Sequence, residues 1–310
     1  MRIKYIVPVL FIAVVAACQS NTSNTPELPE NVQAISLLGD TLYTVPTQLP
    51  EKLESRIDSL IDLAMDHDDF ATTLIWQARK KGYQGEYRKS LETLSAAISD
   101  YPADARLYRH RGHRYLTLRQ FDRAIADFEK AVTLIEGTED IIEPDGLPNA
   151  LNMPTSTLQS NIWYHLGLAY YLKQDYKNAQ NAYENCLNVS LNNDLKVATI
   201  YWYYMTLRKL GKDELAGTVL DTITPDLELI ENESYHKLLL VFKGDFDSKS
   251  LLTEEDDALD IVTYGYGLGF WHFINGRTER AHEIWQEVYD SGNWAPFGFL
   301  ASEAELVYSD

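Results

Sequence analysis

Cysteine is nearly absent. The 310-residue chain has two, Cys18 and Cys186, so no disulfide framework staples it. Basic residues are also few, 27 Lys and Arg against 46 Asp and Glu, for a formal net charge of -19. A chain this acidic repels nucleic-acid phosphates and does not lie flat on anionic lipid. It does stay soluble and resist self-association. The common catalytic signatures are missing too: there is no nucleophile elbow, P-loop, HExxH or CxxC. The histidines are scattered. Only His110 and His113, three residues apart, can face one another on a helix. They either pack, with His113 turned to a groove, or join His165 or an acidic loop in holding a metal. Carboxylate pairs such as Asp68-Asp69, Glu254-Glu255 and Asp256-Asp257 read as solvated faces or helix starts. No enzyme and no cofactor follow from these residues.

Aromatic residues, by contrast, are plentiful. The chain has 20 Tyr and is 45% hydrophobic, which argues for a folded body despite the charge. That body does not include the first residues. Arg2 and Lys4 precede a short apolar run, Ile6 to Val15, which then meets Ala16, Ala17 and Cys18. The run is too short for a stable membrane anchor and reads as a secretory signal. Val15-Ala16-Ala17-Cys18 resembles the bacterial lipobox. The resemblance implies cleavage after residue 17 and lipid on Cys18, so that only the lipid anchor touches the membrane. Gln19, where Asp would retain the protein at the inner membrane, implies the outer membrane, periplasmic or surface-facing. Loss of Arg2 and Lys4 takes the net charge from -19 to -21. With Cys18 acylated, Cys186 is a lone thiol packed in a helix. Residues 19–34 read as a flexible tether, and Gly39-Asp40 as a small turn docking on the first helix. The organisation is thus a signal peptide at 1–17, a lipidated tether and N-terminal segment at 18–50, and a helical domain at 51–310.

From Pro50 onward apolar residues recur at spacings of three and four. The pattern also repeats. Tyr87, Ser90, Leu94 and Ala97 return 34 residues later as Phe121, Ala124, Phe128 and Ala131. Tyr108, Gly112, Tyr115, Phe121, Ala124, Phe128 and Ala131 return 55 residues later as Trp163, Gly167, Tyr170, Tyr176, Ala179, Tyr183 and Cys186. A 34-residue period is that of the tetratricopeptide repeat (TPR), and 55 is one repeat plus a 21-residue insertion. Gly112 and Gly167 mark close helix crossings, with Ala124 and Ala179 opposite them. Weaker repeats run through Ile200 to Ile223 and Leu268 to Val288. Residues 232–252 look like a degenerate helical pair, Thr253 to Asp256 like a capping box, and Pro296 to Val307 like a capping helix.

The chain therefore resembles the TPR family over about residues 70–290, and looks like a bacterial TPR lipoprotein of uncharacterised role. The resemblance implies an all-α solenoid of antiparallel helix pairs forming a right-handed superhelix. It also implies that the first helix of each repeat lines a concave groove. By that alignment Arg79, Arg106, Arg109, His113, Asn161, Tyr164, Tyr171, Tyr201, Arg208, Lys209, Tyr266 and Phe270 face inward. Arginines suit carboxylates and tyrosines give contact area, so the groove suits an acidic peptide segment. The alternative is that these arginines pair with neighbouring acids and the tyrosines pack. The insertion at 139–159, with Pro144, Pro148 and Pro154, is a lid, a docking loop or a solvated spacer. The function implied is a non-catalytic adaptor at the outer membrane, binding envelope proteins through its groove, similar in plan to TPR lipoproteins that tether peptidoglycan hydrolases or serve β-barrel assembly. The alternative is a lipoprotein that captures a glycan or peptide for uptake.

Overall fold

The structure, a computed structural model, describes residues 29, 31–44, 46–251 and 258–308. The expected signal peptide, Cys18, most of the tether and the capping box at Thr253 to Asp256 lie outside the described residues.

A hairpin of β1 (Val32–Ile35) and β2 (Thr41–Tyr43) precedes thirteen α-helices among the described residues. They are α1 (Glu51–Asp66), α2 (Phe70–Tyr83), α3 (Tyr87–Asp100), α4 (Ala105–Thr117), α5 (Phe121–Ile135), α6 (Leu158–Leu172), α7 (Tyr176–Val189), α8 (Asn193–Lys209), α9 (Asp213–Leu220), α10 (Glu233–Lys243), α11 (Ala258–Ile274), α12 (Thr278–Asp290) and α13 (Phe297–Tyr308). None is long and apolar enough to cross a membrane. The helix starts are written locally. Asp69, Asp104, Asp175 and Asn192 each accept a backbone N–H from the first turn of α2, α4, α7 and α8. Thr157 and Ser160 cap α6 reciprocally.

Helices pair as α2 with α3, α4 with α5, α6 with α7, α8 with α9 and α11 with α12. Each pair turns through one left-handed residue: Gly85, Arg119, Gln174, Gly211 and Gly276, at φ 80, 60, 60, 68 and 73°. The first three stand 34 and 55 residues apart, the spacings of the sequence repeat. Within pairs a glycine meets a large ring 16 residues later. A Cβ on Gly112 falls 2.8 Å from the Phe128 ring and one on Gly167 falls 2.6 Å from Tyr183; Gly269 meets Trp285 in the same way. Ala124 and Ala179 are fully buried from the second helix. Replacing either with Leu overpacks the crossing and is expected to destabilise by about 1–3 kcal/mol. Thermal melts are expected to show a fall of roughly 2–4 °C per kcal/mol. An unchanged melting temperature in both variants would contradict this packing.

Two expectations are corrected. The described part of the expected helical pair at 232–252, residues 232–251, holds one helix, α10, and a 3₁₀ turn at Ser248–Ser250, because Gly244 (φ 91°) ends the helix in the left-handed region and Asp247 caps the turn. The hairpin does turn at Gly39, but it does not dock chiefly on α1. Ala34 and Leu42 pack with Leu118, Val262, Val288, Trp294 and Phe299, joining the start of the array to its end. Trp294 Nε1 donates to the Tyr43 carbonyl at 2.9 Å, and the Tyr289 hydroxyl to Asp40 at 2.6 Å.

The array closes on itself. The inner helices α6 and α8 meet α11 through Tyr171–Tyr266 (hydroxyls 2.6 Å apart) and through the Trp202–Tyr266 stack. α13 does more than cap the last pair. Its Phe297 ring lies 5.4 Å from His113 and 5.5 Å from His165, and its Glu305 takes Lys209 at 2.7 Å. Much of the concave side is therefore core.

Candidate functional site

Closure divides the twelve inward-facing residues into three groups. Tyr171, Tyr201 and Tyr266 are at most 3% exposed and cannot offer their rings to a partner. Tyr171 of α6 and Tyr266 of α11 close on each other, and Tyr201 stacks on Tyr235 of α10 at 4.5 Å. Phe270 is equally buried. Tyr164 accepts from Trp202 Nε1 at 2.8 Å, and Asn161 donates to Ser156 at 3.0 Å while its carbonyl accepts from His165 Nδ1 at 2.6 Å. These are packing roles, and they correct the expectation of a tyrosine-lined groove.

A second group is held by local acids. Arg106 forks onto Asp104 with bonds of 2.6–3.1 Å and reaches Thr72 at 2.7 Å. The bond to Asp104 is the first cause of its raised pKa. Arg208 pairs with Asp213 at 2.7 Å and donates to Tyr204 at 2.8 Å. Lys209 is tied to Glu305. Partner binding was expected of Arg106 and Arg208, and the structure gives them neighbouring carboxylates instead.

The third group, Arg79, Arg109 and His113, comes together. With Tyr83, Tyr87, His110 and Arg114 they line a cavity of about 360 Å³ between α2, α3 and α4, bounded by Ala295 before α13. Arg109 is 7% exposed and pairs with Glu143 at 3.0 Å. Arg79 lies over the Trp76 ring at 4.1 Å and donates to the Pro144 carbonyl at 2.7 Å and the Tyr83 hydroxyl at 3.2 Å. Arg114 donates to His113 Nδ1 at 3.2 Å and lies 5.4 Å over the Tyr87 ring. Burial pushes its pKa down to about 10, with Arg109 and Arg79 adding to the shift, so it stays charged at neutral pH. Burial, and then the neighbouring guanidiniums, also hold His110 and His113 neutral, well below their ordinary range.

The insertion is the roof. Its roots are joined by an Ile142–Thr157 bridge and by Leu158 N donating to the Ile141 carbonyl at 2.8 Å. From there Glu143 reaches Arg109, Pro144 reaches Arg79, the Asp145 carbonyl accepts from Arg56 at 3.4 Å, and Gly146 sits on Tyr83. On the far side Asn149 bonds Glu231 at 3.0 Å, Thr155 bonds the same carboxylate, and Asn192 donates to the Thr155 carbonyl at 2.7 Å. Of the three readings of the insertion, the lid matches this placement. Arg114 was missed as a site residue. Its one sequence signal is Gly82, whose missing Cβ leaves room for Arg114 Nη1, 2.8 Å away. No group of three or more His, Cys, Asp or Glu suited to a metal occurs among the described residues.

Comparison with known proteins bears on the scaffold. The family model for the tetratricopeptide repeat matches residues 105–138 and 160–193, the pairs α4–α5 and α6–α7. The chain carries tetratricopeptide repeats. Over 72 residues it is 32% identical to tetratricopeptide repeat protein 16 of Mus musculus, covering 23% of this chain and 9% of that protein. The chain thus spans under a tenth of that relative's length. Among solved structures, a tetratricopeptide repeat protein from Parabacteroides merdae is 15% identical, with a TM-score of 0.46 over 82% of this chain and 99% of that one. The Cut9–Hcn1 hetero-tetramer of the APC/C is 14% identical, with a TM-score of 0.34 over 82% of this chain and 46% of that one. TPR repeats suggest a protein-interaction scaffold, and the repeat is a generally non-catalytic fold.

Proposed function

We propose that this TPR protein is a non-catalytic adaptor, held to the outer membrane by lipid on Cys18, that docks an envelope protein on the outer edge of its lid. The groove first expected to take the partner is largely filled by α11 and α13. That filling also disfavours capture of a glycan or extended peptide there. The observation that carries the reading is the apolar ledge of the insertion. Ile141, Ile142, Leu147, Leu151 and Met153 stand 47–65% exposed on a segment anchored at both ends. Contiguous exposed apolar side chains on an ordered element mark interaction surfaces. Glu136, Glu139 and Asp140 are exposed beside it, so the partner surface is apolar with a basic rim.

The test is cross-linking and pull-down from cell envelopes. The parent is expected to recover a discrete partner, and Leu147→Asp with Leu151→Asp to lose it while helical content is unchanged. Cys18→Ala is expected to abolish lipid labelling and release the protein from the membrane fraction. A double variant that still recovers the partner contradicts the ledge; a Cys18→Ala protein that still labels with lipid contradicts the anchor.

A further inference from the structure

The roofed cavity poses a separate question. The chain carries 46 acidic residues, yet no carboxylate lines this cavity, whereas three guanidiniums do. Among the described residues Arg109 alone of the three is ion-paired, with Glu143 from the lid side, and the Asp145 carboxylate acts on both Arg109 and Arg79 from further off. Among the described residues Arg79 bonds only a carbonyl and a hydroxyl, and Arg114 an imidazole. Arg79 and Arg114 therefore line the cavity without an ion pair among the described residues, in a protein of net charge -19. Both are half-buried and line the same space, and burying a guanidinium without a paired acid, as at Arg114, is unfavourable.

We infer that this cavity is a binding site for a small phosphomonoester. The two forks without an ion pair select the class. A single carboxylate fills one fork, whereas a phosphomonoester brings three acceptor oxygens and can meet both. Guanidinium forks bind such oxygens in parallel pairs. The remaining lining suits a short organic residue: Tyr83 and Tyr87 offer ring faces, and Ser90 and Thr117 hydroxyls. A neighbouring apolar cavity of about 220 Å³ shares Arg79 and His110 and is walled by Ile75, Trp76, Ile142 and Pro144. It gives the organic part a place beside the charged head. The size fits as well, since small-molecule pockets begin at about 300 Å³. Pro144 and Gly146 cover the lining residues Arg79 and Tyr83, which with the volume favours a small ligand over an extended chain. The ledge shares Ile141 and Ile142 with the second cavity, but its Leu147, Leu151 and Met153 line neither cavity, so the two can be tested by separate variants.

Calorimetric titration of the full-length chain is the test, with glycerol 3-phosphate, inorganic phosphate, succinate and a Glu-rich peptide as separate probes. Glycerol 3-phosphate is expected to bind saturably with one site. Arg114→Leu is expected to weaken it about tenfold or more, the loss typical of a bond to a charged group. Arg114→Lys keeps the charge and loses the fork, and an intermediate affinity is expected. Arg208→Leu, outside both cavities, is expected to leave binding unchanged. Inorganic phosphate binding as tightly as the ester supports the anion site and makes the free ion its source. Succinate or the acidic peptide binding as tightly as the ester would overturn the phosphate assignment. So would no saturable binding of either phosphate, or unchanged affinity in both Arg114 variants. If Arg114→Leu does not fold, the Lys variant and Arg79→Leu carry the same test.

Discussion

Glu303→Ala is expected to destabilise the protein by about 3–5 kcal/mol, the usual result of removing one partner from a buried ion pair. Glu303 is fully buried and Arg119 has a 3% exposed side chain. Arg119 Nη2 lies 2.7 Å from one carboxylate oxygen, and Nη1 donates to the Thr117 carbonyl at 2.6 Å. The other carboxylate oxygen accepts from Leu37 N, so hairpin, repeat turn and α13 meet at one side chain. Its loss leaves a guanidinium in a dry site and the part-buried Leu37 N–H without its acceptor. Burial already lowers the Arg119 pKa, and Glu303 opposes that shift. The urea midpoint is expected to fall without a change in helical content of the folded baseline. Arg119 also sits at φ 60°, where the first repeat has Gly85. The double variant Arg119→Gly with Glu303→Leu removes both charges and relieves that backbone conformation, and is expected to recover part of the loss. A midpoint unchanged in Glu303→Ala would show that the ring is closed by packing alone.

The repeat was legible because it is local. A period of 34 recurs in turn residues, and a small residue faces a large one at a constant separation, so a single pair of helices carries its own signature. Gly112 with Phe128 and Gly167 with Tyr183 are visible in this way from the order of residues alone. Closure has no such signature. Tyr171 and Tyr266 are 95 residues apart, Lys209 and Glu305 are 96, and Arg119 and Glu303 are 184. The burial of Tyr171, Tyr201 and Tyr266, expected to line the groove, was therefore not legible, since nothing near Tyr171 in sequence announces α11.

The candidate site divides along the same line. Arg106 has its acid two residues away, and Arg208 five, so their pairing was readable as the alternative. Glu143 is one carboxylate among 46 until the lid brings it to Arg109. Prolines and Pro144-Asp145-Gly146 disclosed an irregular insertion but not where it folds. Arg114 was hidden for another reason: its significance is the absence of an acid, which only three-dimensional neighbours reveal.

Acid is expected to unfold this protein through histidines as well as through its carboxylate pairs. His165 is 5% exposed, its ring 5.9 Å from Phe128 and 4.8 Å from His113, and burial lowers its pKa to about 3. The nearby Arg109 adds to the shift, and the bond to the Asn161 carbonyl opposes it. The sign follows from proton counting. Below the unfolded value of 6.5 the unfolded chain takes up a proton that the native protein refuses, so stability falls with pH until about 3. One such group removes about 2 kcal/mol between pH 7 and pH 5. His110 and His113 are depressed in the same direction and steepen the fall. Asp127 and Asp145, whose pKa values burial raises, act oppositely, stabilising the fold as pH drops through their titration. His165→Phe keeps an aromatic ring among Phe128, Tyr164 and Phe297 and removes the proton site. Urea unfolding at pH 7 and pH 5 is expected to show a smaller loss for the variant than for the parent, by about 2 kcal/mol. Equal losses in the two proteins would mean that His165 titrates in the native state as it does in the unfolded chain, and that the interior joined by α13 is open to water.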